Sequence, residues 1–288
     1  MAPTTSTLRP PFVVDSGRGD PVLFVHGQPG LGSDWDQVAS RLTDHRLLIV
    51  DRPGYGRSGA ETLSIEGNAE LLGDLVIERG AVPVTVVGHS YGGGVAIELA
   101  ARRPDLVAGL VLVGSIGRAE SLNTLDHLLA VPVMGEVLSA AGLFTLGQVL
   151  PRVRHRVGAQ HHGVLEWLRA TLPDERYDRV SSPRGRQVWR SFVAEQRALV
   201  REIGAVESAL DSVRAPTVIV SGTWDLVVPS SVSVSIAASI PGSEIVSVAR
   251  TGHFVPRDAP EVVASAVRSV ESRARDIRAQ QSEYDTPT

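Results

Sequence analysis

A short turn motif, residues 88–92 (Gly-His-Ser-Tyr-Gly), constrains the fold of this chain more than any other stretch. An apolar, β-branched run at 84–87 precedes it, and a helical pattern at 95–100 follows it. Because strand and helix approach closely across such a turn, its outer positions favour residues without a side chain. The central Ser90 is then held at a strained backbone angle, with its hydroxyl above the strand end, as in a nucleophile elbow. The other interpretation is a glycine-rich β-to-α turn without a chemical role.

Strands and helices alternate on both sides of this turn. Apolar runs predict further strands near residues 12–14, 22–25, 47–50, 107–113, 217–220 and 244–248. Continuous apolar strands separated by helices are typical of a parallel sheet that is covered on both faces. We therefore predict an α/β fold with a mostly parallel, doubly wound sheet.

The alternation stops for about a third of the chain. Residues 117–212 carry no strand pattern and contain several helical patterns that prolines and glycines interrupt. We predict that they form a helical cap, or lid, inserted into a core domain made of residues 1–116 and 213–279. The polar residues 280–288 predict a disordered tail.

The composition excludes several chemistries. The chain has no cysteine, which rules out disulfides, thiol nucleophiles and thiolate metal sites. It has no lysine either, which rules out Schiff-base chemistry and a P-loop. The net charge of −4 is not concentrated in a basic stripe, so we expect no nucleic-acid partner. The N-terminus has no basic region followed by an apolar one, so we expect no secretory signal and a cytoplasmic location.

Two polar residues that follow later predicted strands are candidate partners of Ser90. They are Asp225 and His253, and in a parallel sheet such positions meet at the edge formed by the carboxyl ends of the strands. A serine hydroxyl needs a base within hydrogen-bond reach, and the base needs a carboxylate that orients it. We therefore predict a catalytic triad of Ser90, Asp225 and His253. The alternatives are that Asp225 caps the helix near Pro229 and that His253 is an ordinary loop histidine.

Taken together, five motifs resemble the α/β-hydrolase fold superfamily over residues 12–276. They lie at residues 26–30 (His-Gly-Gln-Pro-Gly), 51–58 (Asp-Arg-Pro-Gly-Tyr-Gly-Arg-Ser), 88–92, 222–225 (Gly-Thr-Trp-Asp) and 252–253 (Gly-His). The order Ser, Asp, His is also that of this superfamily. The chain is similar to its capped branch, which includes epoxide hydrolases, haloalkane dehalogenases, meta-cleavage C–C hydrolases and many esterases. The resemblance implies an oxyanion hole formed by the backbone N–H groups of Gln28 and Tyr91.

A serine at the elbow, in contrast to an aspartate, limits the kinds of bond that the protein is expected to cleave. The resembled epoxide hydrolases and dehalogenases use an aspartate at the elbow, which displaces at an sp³ carbon, whereas an activated serine adds to a carbonyl. We therefore expect a carboxylic ester hydrolase that works through an acyl-enzyme. Its partner would be a small, largely apolar acyl substrate, and we expect no cofactor, no metal ion, no membrane attachment, and a monomer or homodimer.

Two other functions stay open. In a meta-cleavage C–C hydrolase, asparagine typically precedes the serine and tryptophan follows the histidine, whereas this chain has His89 and Phe254. A non-catalytic receptor for a small ligand would have no need of a complete triad.

Other polar residues favour structural roles. We expect His26 and His89 to pack and shape loops rather than to act as bases, and Asp51 to tie down its own glycine-rich loop. Neighbours on a helix point about 100° apart, so we do not expect His161 and His162 to share a metal ion. A dinucleotide loop is excluded because the Gly-x-Gly-x-x-Gly spacing is absent after the elbow.

The predicted cap is rich in apolar residues. We expect most of its aromatic side chains to pack between helices and some to line an apolar pocket over the serine; they are Phe144, Trp167, Trp189 and Phe192. The apolar run 128–150 is interrupted by Pro132 and Glu136, so we do not expect a membrane helix, and a lipid-facing lid is the alternative. Three arginines of this region could bind a substrate carboxylate or could be exposed to solvent, and we favour the second role. They are Arg152, Arg154 and Arg156.

Overall fold

The computed structural model of the chain describes residues 10–59, 61–144 and 183–284. Within these residues, seven strands form one sheet in the order β1-β3-β2-β4-β5-β6-β7. The strands are β1 Val13–Gly17, β2 Pro21–Val25, β3 Arg46–Val50, β4 Val84–His89, β5 Val107–Val113, β6 Thr217–Gly222 and β7 Glu244–Val248. Strand β1 pairs antiparallel with β3, and the other pairs are parallel. The predicted strands and the mostly parallel sheet are confirmed.

Helices connect the strands and cover both faces of the sheet. They are α1 Asp36–Ala39, α2 Ile65–Glu78, α3 Tyr91–Arg102, α4 Thr124–Ala130, α5 Met134–Phe144, α6 Pro183–Ala209, α7 Ser230–Ser239, α8 Val255–Asp258 and α9 Pro260–Tyr284. Successive residues of a strand point to opposite faces. In β2, Leu23 and Val25 join the apolar cluster that includes α2 and α3, whereas Val22 and Phe24 join the cluster that includes α9. This two-sided burial explains why the central strands lack a polar face and are apolar at most positions.

The predicted helical insert between β5 and β6 is present. Its described part consists of α4, α5, α6 and short 3₁₀ turns, and no strand occurs there. The exact limits 117–212 and the division into core and cap stay predictions. Several residues discussed above lie outside the part of the chain that the structure describes, as does the side chain of Phe144; they are Arg152, Arg154, Arg156, His161, His162 and Trp167.

The predicted start of the tail at residue 280 is wrong. Helix α9 continues to Tyr284. Arginine, alanine, glutamate and glutamine dominate its last turns, and these residues have high helix propensity. Polarity alone therefore did not indicate disorder there, and residues 285–288 lie beyond the described ranges.

Among the described helices, none is long and apolar enough to span a bilayer by itself. The pair formed by Thr124–Ala130 and Met134–Gly142 passes such a test together by length and composition, but it is bent by 116°.

Candidate active site

The turn between β4 and α3 has the strained geometry that its sequence predicts. Ser90 has φ 53° and ψ −120°, a conformation that costs energy for any residue with a side chain. A Cβ on Gly88 would overlap the backbone of Gly92, and one on Gly92 would overlap the carbonyl of Val25. Both glycines are thus required for the strand and the helix to approach, and Ser90 is left at the carboxyl end of β4.

Asp225 and His253 are in direct contact at the same edge of the sheet. Oδ2 of Asp225 lies 2.8 Å from Nδ1 of His253, and both side chains are buried. A carboxylate accepts hydrogen bonds, so Nδ1 carries the hydrogen and Nε2 is left as an acceptor. The other oxygen, Oδ1, accepts hydrogen bonds from the N–H groups of Val227 and Val228, both at 2.9 Å. The carboxylate therefore orients the imidazole and also caps the turn before α7.

Gly114 lies between this Asp–His pair and the elbow. Its neighbour Val113 accepts a hydrogen bond from the N–H of Ser90 at 3.0 Å. A Cβ on Gly114, which has φ +48°, would be 3.2 Å from Oδ2 of Asp225 and 3.3 Å from Nδ1 of His253. Within the described residues, the Ser90 hydroxyl makes no hydrogen bond. The structure thus brings Asp225 and His253 together but shows no hydrogen bond between Ser90 and His253. Catalytic hydrogen bonds are often long before a substrate binds.

The loop after β2 lies against the elbow. A Cβ on Gly27 would be 3.1 Å from Cβ of Ser90, which places the next residue, Gln28, beside the serine as well. Tyr91 is the first residue of α3, where a backbone N–H has no partner within the helix. In the part of the chain that is described, the N–H groups of Gln28 and Tyr91 donate to no protein acceptor. Both are therefore available to an anion or a carbonyl oxygen.

The two further histidines at this edge are neutral and structural. Burial and the neighbouring His253 lower the pKa of His89 to about 3. Burial and the charge of Arg52 lower the pKa of His26 well below its usual value. Nε2 of His26 accepts a hydrogen bond from the N–H of Arg52 at 2.9 Å, and Nδ1 donates to the carbonyl of Gly27 at 2.8 Å. These contacts agree with the expected packing and loop-shaping roles.

Asp51 holds its own loop, as the sequence predicts. Its Oδ1 accepts from the N–H of Gly32 at 2.8 Å, and its Oδ2 accepts from the N–H of Arg57 at 2.9 Å. It therefore fixes backbone rather than facing the serine.

A buried ion pair behind the loop was missed from the sequence. The guanidinium of Arg52 pairs with the carboxylate of Glu195 on α6, and both side chains are fully buried. A sequence signal for Glu195 did exist, because it shares one helical face with Leu199 and Ile203, at a spacing of four residues. A charge on such a face must be paired, but nothing in the spacing indicates that the partner is Arg52.

Comparisons with known proteins give the family and the fold that this chain resembles. A family model described as Alpha/beta hydrolase family matches residues 22–266. The chain is 30% identical to lipase LipV of Mycobacterium tuberculosis, over 86% of this chain and 92% of that protein. It is 28% identical to 2-hydroxy-6-oxo-2,4-heptadienoate hydrolase of Pseudomonas putida, over 84% of this chain and 85% of that protein. The structure of a thermophilic esterase from Thermogutta terrifontis matches with a TM-score of 0.60 at 22% identity, over 91% of this chain and 93% of that chain. This match shows that the two proteins have a similar fold.

Proposed function

Because the chain belongs to the alpha/beta hydrolase family, we propose that it is a serine hydrolase that cleaves a carboxylic ester or a related acyl substrate. The observation that carries this proposal is the contact between Asp225 and His253 beside the strained turn that presents Ser90. The similarity to lipase LipV supports the choice of an ester over other bonds.

Each side chain of the triad has one task in this mechanism. The Ser90 oxygen attacks the carbonyl carbon while Nε2 of His253 takes up its proton, and Asp225 holds Nδ1–H and stabilises the imidazolium. The tetrahedral intermediate collapses to an acyl-enzyme, and the imidazolium returns the proton to the leaving alcohol. Water then attacks the acyl-enzyme by the same route, which releases the acid and restores Ser90.

The N–H groups of Gln28 and Tyr91 are the proposed donors to the oxyanion. Tyr91 begins α3, so the positive end of the helix dipole adds to its N–H. Loss of one such donor lowers kcat by about 10²–10³-fold in enzymes of this type. The two N–H groups act on charge that develops only in the transition state, so they raise kcat rather than lower KM.

The insert is proposed to cover the site and to select the substrate. Gln196 of α6 accepts a hydrogen bond from the side chain of Gln28 at 2.6 Å, so this helix reaches the loop beside Ser90. Trp189 donates from Nε1 to the carbonyl of Glu136 at 3.2 Å and thus packs between α6 and α5, as expected for a structural aromatic residue. Phe192, which is half-buried on α6, is a candidate for the pocket lining. The proposed substrate is small and largely apolar.

The alternative is hydrolysis of a C–C bond next to a ketone. The identity of 28% to the Pseudomonas putida hydrolase favours it, and the mechanism would use the same three residues. His89 and Phe254 stand where the resembled C–C hydrolases carry asparagine and tryptophan, which favours the ester.

The test is turnover of short p-nitrophenyl esters by the parent and by Ser90→Ala. We expect the variant to lose all measurable turnover and to resist labelling by a fluorophosphonate. The matched control is Ser115→Ala, because Ser115 packs against the same turn at Gly93 but donates its hydroxyl to the carbonyl of Ile116. Activity of Ser90→Ala within a few-fold of the parent would refute the proposal. Faster cleavage of a vinylogous 1,5-diketone than of any ester would favour the C–C reaction, and a folded parent that resists labelling would favour a receptor.

A further inference from the structure

The peptide group between Gly27 and Gln28 is held from its carbonyl side. This peptide is trans and planar, so its C=O and the Gln28 N–H point in opposite directions. The Gly27 carbonyl accepts two hydrogen bonds, from Nη2 of Arg52 at 2.8 Å and from Nδ1 of His26 at 2.8 Å. Fixing the carbonyl therefore fixes the direction of the Gln28 N–H. The positive charge of Arg52 also polarises the peptide and strengthens the N–H as a donor.

The guanidinium of Arg52 is positioned by α6. Glu195 accepts from both Nη atoms of Arg52 and also from the Tyr55 hydroxyl, at 2.7 Å. The guanidinium lies 5.1 Å from the ring centre of Tyr55 and 4.7 Å from that of Tyr91. The buried guanidinium of Arg52 thus donates a hydrogen bond to the peptide group that precedes Gln28 and also lies against the aromatic ring of Tyr91. Its counter-ion belongs to the insert and not to the core.

The next residue of α6 holds the side chain of Gln28. Nε2 of Gln196 donates to Oδ1 of Asp126 at 2.9 Å, and a carboxylate can only accept, so the orientation of the Gln196 amide is determined. Its Oε1 then faces Gln28 and accepts from Nε2 of that residue at 2.6 Å. Glu195 and Gln196 therefore act on the same residue, one through its backbone and the other through its side chain.

We propose that Glu195 and Gln196 are positioning residues for the oxyanion hole, so that the seating of α6 sets the direction of the Gln28 N–H. The catalytic consequence rests on the proposed function, whereas the structural link between α6 and the Gln28 peptide does not. A site of this kind is complete only while the insert is docked.

The test compares Glu195→Gln with Glu207→Gln in the full-length protein. Glu207 is on the same helix and also pairs with an arginine, Arg118, at 2.8 Å, but this pair does not reach the loop beside Ser90. In Glu195→Gln we expect kcat for an ester to fall about 10–100-fold with KM within about threefold, because the hole acts on the transition state. Gln196→Leu should lower kcat by a smaller factor, about 3–10-fold, because it leaves the backbone contact in place.

A second readout does not depend on turnover. In ¹H–¹⁵N spectra, the backbone amide signals of Gln28 and Tyr91 should shift in Glu195→Gln and keep their positions in Glu207→Gln. If these signals do not move, or if the two variants have the same kcat within twofold, the inference is overturned. If Ser90→Ala still hydrolyses esters, the proposed function fails, and the amide signals alone decide whether α6 positions this peptide.

If Glu195→Gln does not fold, the double variant Arg52→Leu with Glu195→Leu replaces it. Apolar side chains often substitute for a buried ion pair without loss of stability. The double variant should therefore keep its thermal midpoint and still show the amide shifts and the loss of kcat. A folded double variant with the parent's kcat would also overturn the inference.

Discussion

Nε2 of His89 donates a hydrogen bond to the carbonyl oxygen of His253 at 2.9 Å, and the two rings lie 4.7 Å apart. The residue before the elbow serine thus holds the loop that carries the proposed base. Since burial keeps His89 neutral, it supplies this contact without adding a charge beside His253.

Removal of this hydrogen bond should impair catalysis more than folding. We expect His89→Phe to retain the ring packing but to lower kcat for an ester about 10-fold, because the loop of His253 loses its anchor. His89→Gln restores a donor and should recover most of kcat. Steady-state kinetics of both variants, with His127→Gln on the exposed face of α4 as the control, measures the effect. Equal kcat in the parent and in His89→Phe would contradict it.

The low pKa of His89 predicts a dependence of stability on pH. The unfolded chain binds a proton at this residue below about pH 6.5, whereas the folded protein does so only near pH 3. The contribution of neutral His89 to the free energy of unfolding is therefore fully present above pH 6.5. It is lost as the pH falls toward 3, by at most about 1.4 kcal/mol per pH unit. We expect the free energy of unfolding, measured by denaturant titration at several pH values between 6.5 and 4, to fall less steeply with decreasing pH in His89→Gln than in the parent. His26 remains in both proteins, so an unchanged slope would show that His89 is not the titrating group.

The close approach at the elbow predicts which glycine cannot be replaced. We expect Gly92→Ala to destabilise the protein by roughly 3 kcal/mol or more, because its methyl group would overlap the carbonyls of Val25 and His26. Gly204→Ala on α6 is the matched change, since a Cβ there meets no atom within 4 Å. It should be neutral or stabilise by about 0.5–1 kcal/mol. Thermal unfolding of both variants tests the difference, and similar midpoints would be evidence against the close approach.

The two oxygens of Asp225 predict a separation of stability from activity. In Asp225→Asn, Oδ1 still accepts from Val227 and Val228, but the amide forces His253 into the other tautomer. We expect kcat to fall about 10³–10⁴-fold, with the free energy of unfolding changed by about 1 kcal/mol or less.

Asp225→Ala is the companion variant. It loses both functions of the carboxylate, so it should be equally inactive and also less stable, by about 1–3 kcal/mol. Kinetics together with denaturant unfolding distinguishes the two effects. An asparagine variant that retains a tenth of the parent's kcat would remove Asp225 from the proposed mechanism.

The sequence was most informative where a local rule decides the structure. Unbroken apolar runs such as 22–25 identified strands buried on both faces, because period-two alternation disappears when neither face is exposed to water. The glycines around Ser90 predicted the strained turn, because only residues without a side chain allow that approach. The position of Asp225 and His253 after strands predicted their meeting, because parallel strands end at one edge.

The sequence is less informative where partners are distant or where one residue makes two kinds of contact. Helical periodicity indicates that Glu195 is buried, but not that its partner is Arg52, which is on another element. The sequence offers a helix cap and a contact with His253 as alternatives for Asp225, whereas its two oxygens make both contacts. Helix α9 continues past residue 280 because polar residues with high helix propensity predict a tail by their polarity but still form a helix.

The buried pair of Arg52 and Glu195 limits how this scaffold can be recombined with its relatives. A chimera that grafts a foreign segment in place of the insert would leave the guanidinium without its carboxylate, in a site where water cannot replace it. A library of such chimeras should therefore keep an acidic residue at the place of Glu195, because an apolar residue in place of Arg52 would restore the charge balance but remove a donor to the Gly27 carbonyl. Exchanging the insert of this protein thus becomes a problem of charge matching as much as of shape.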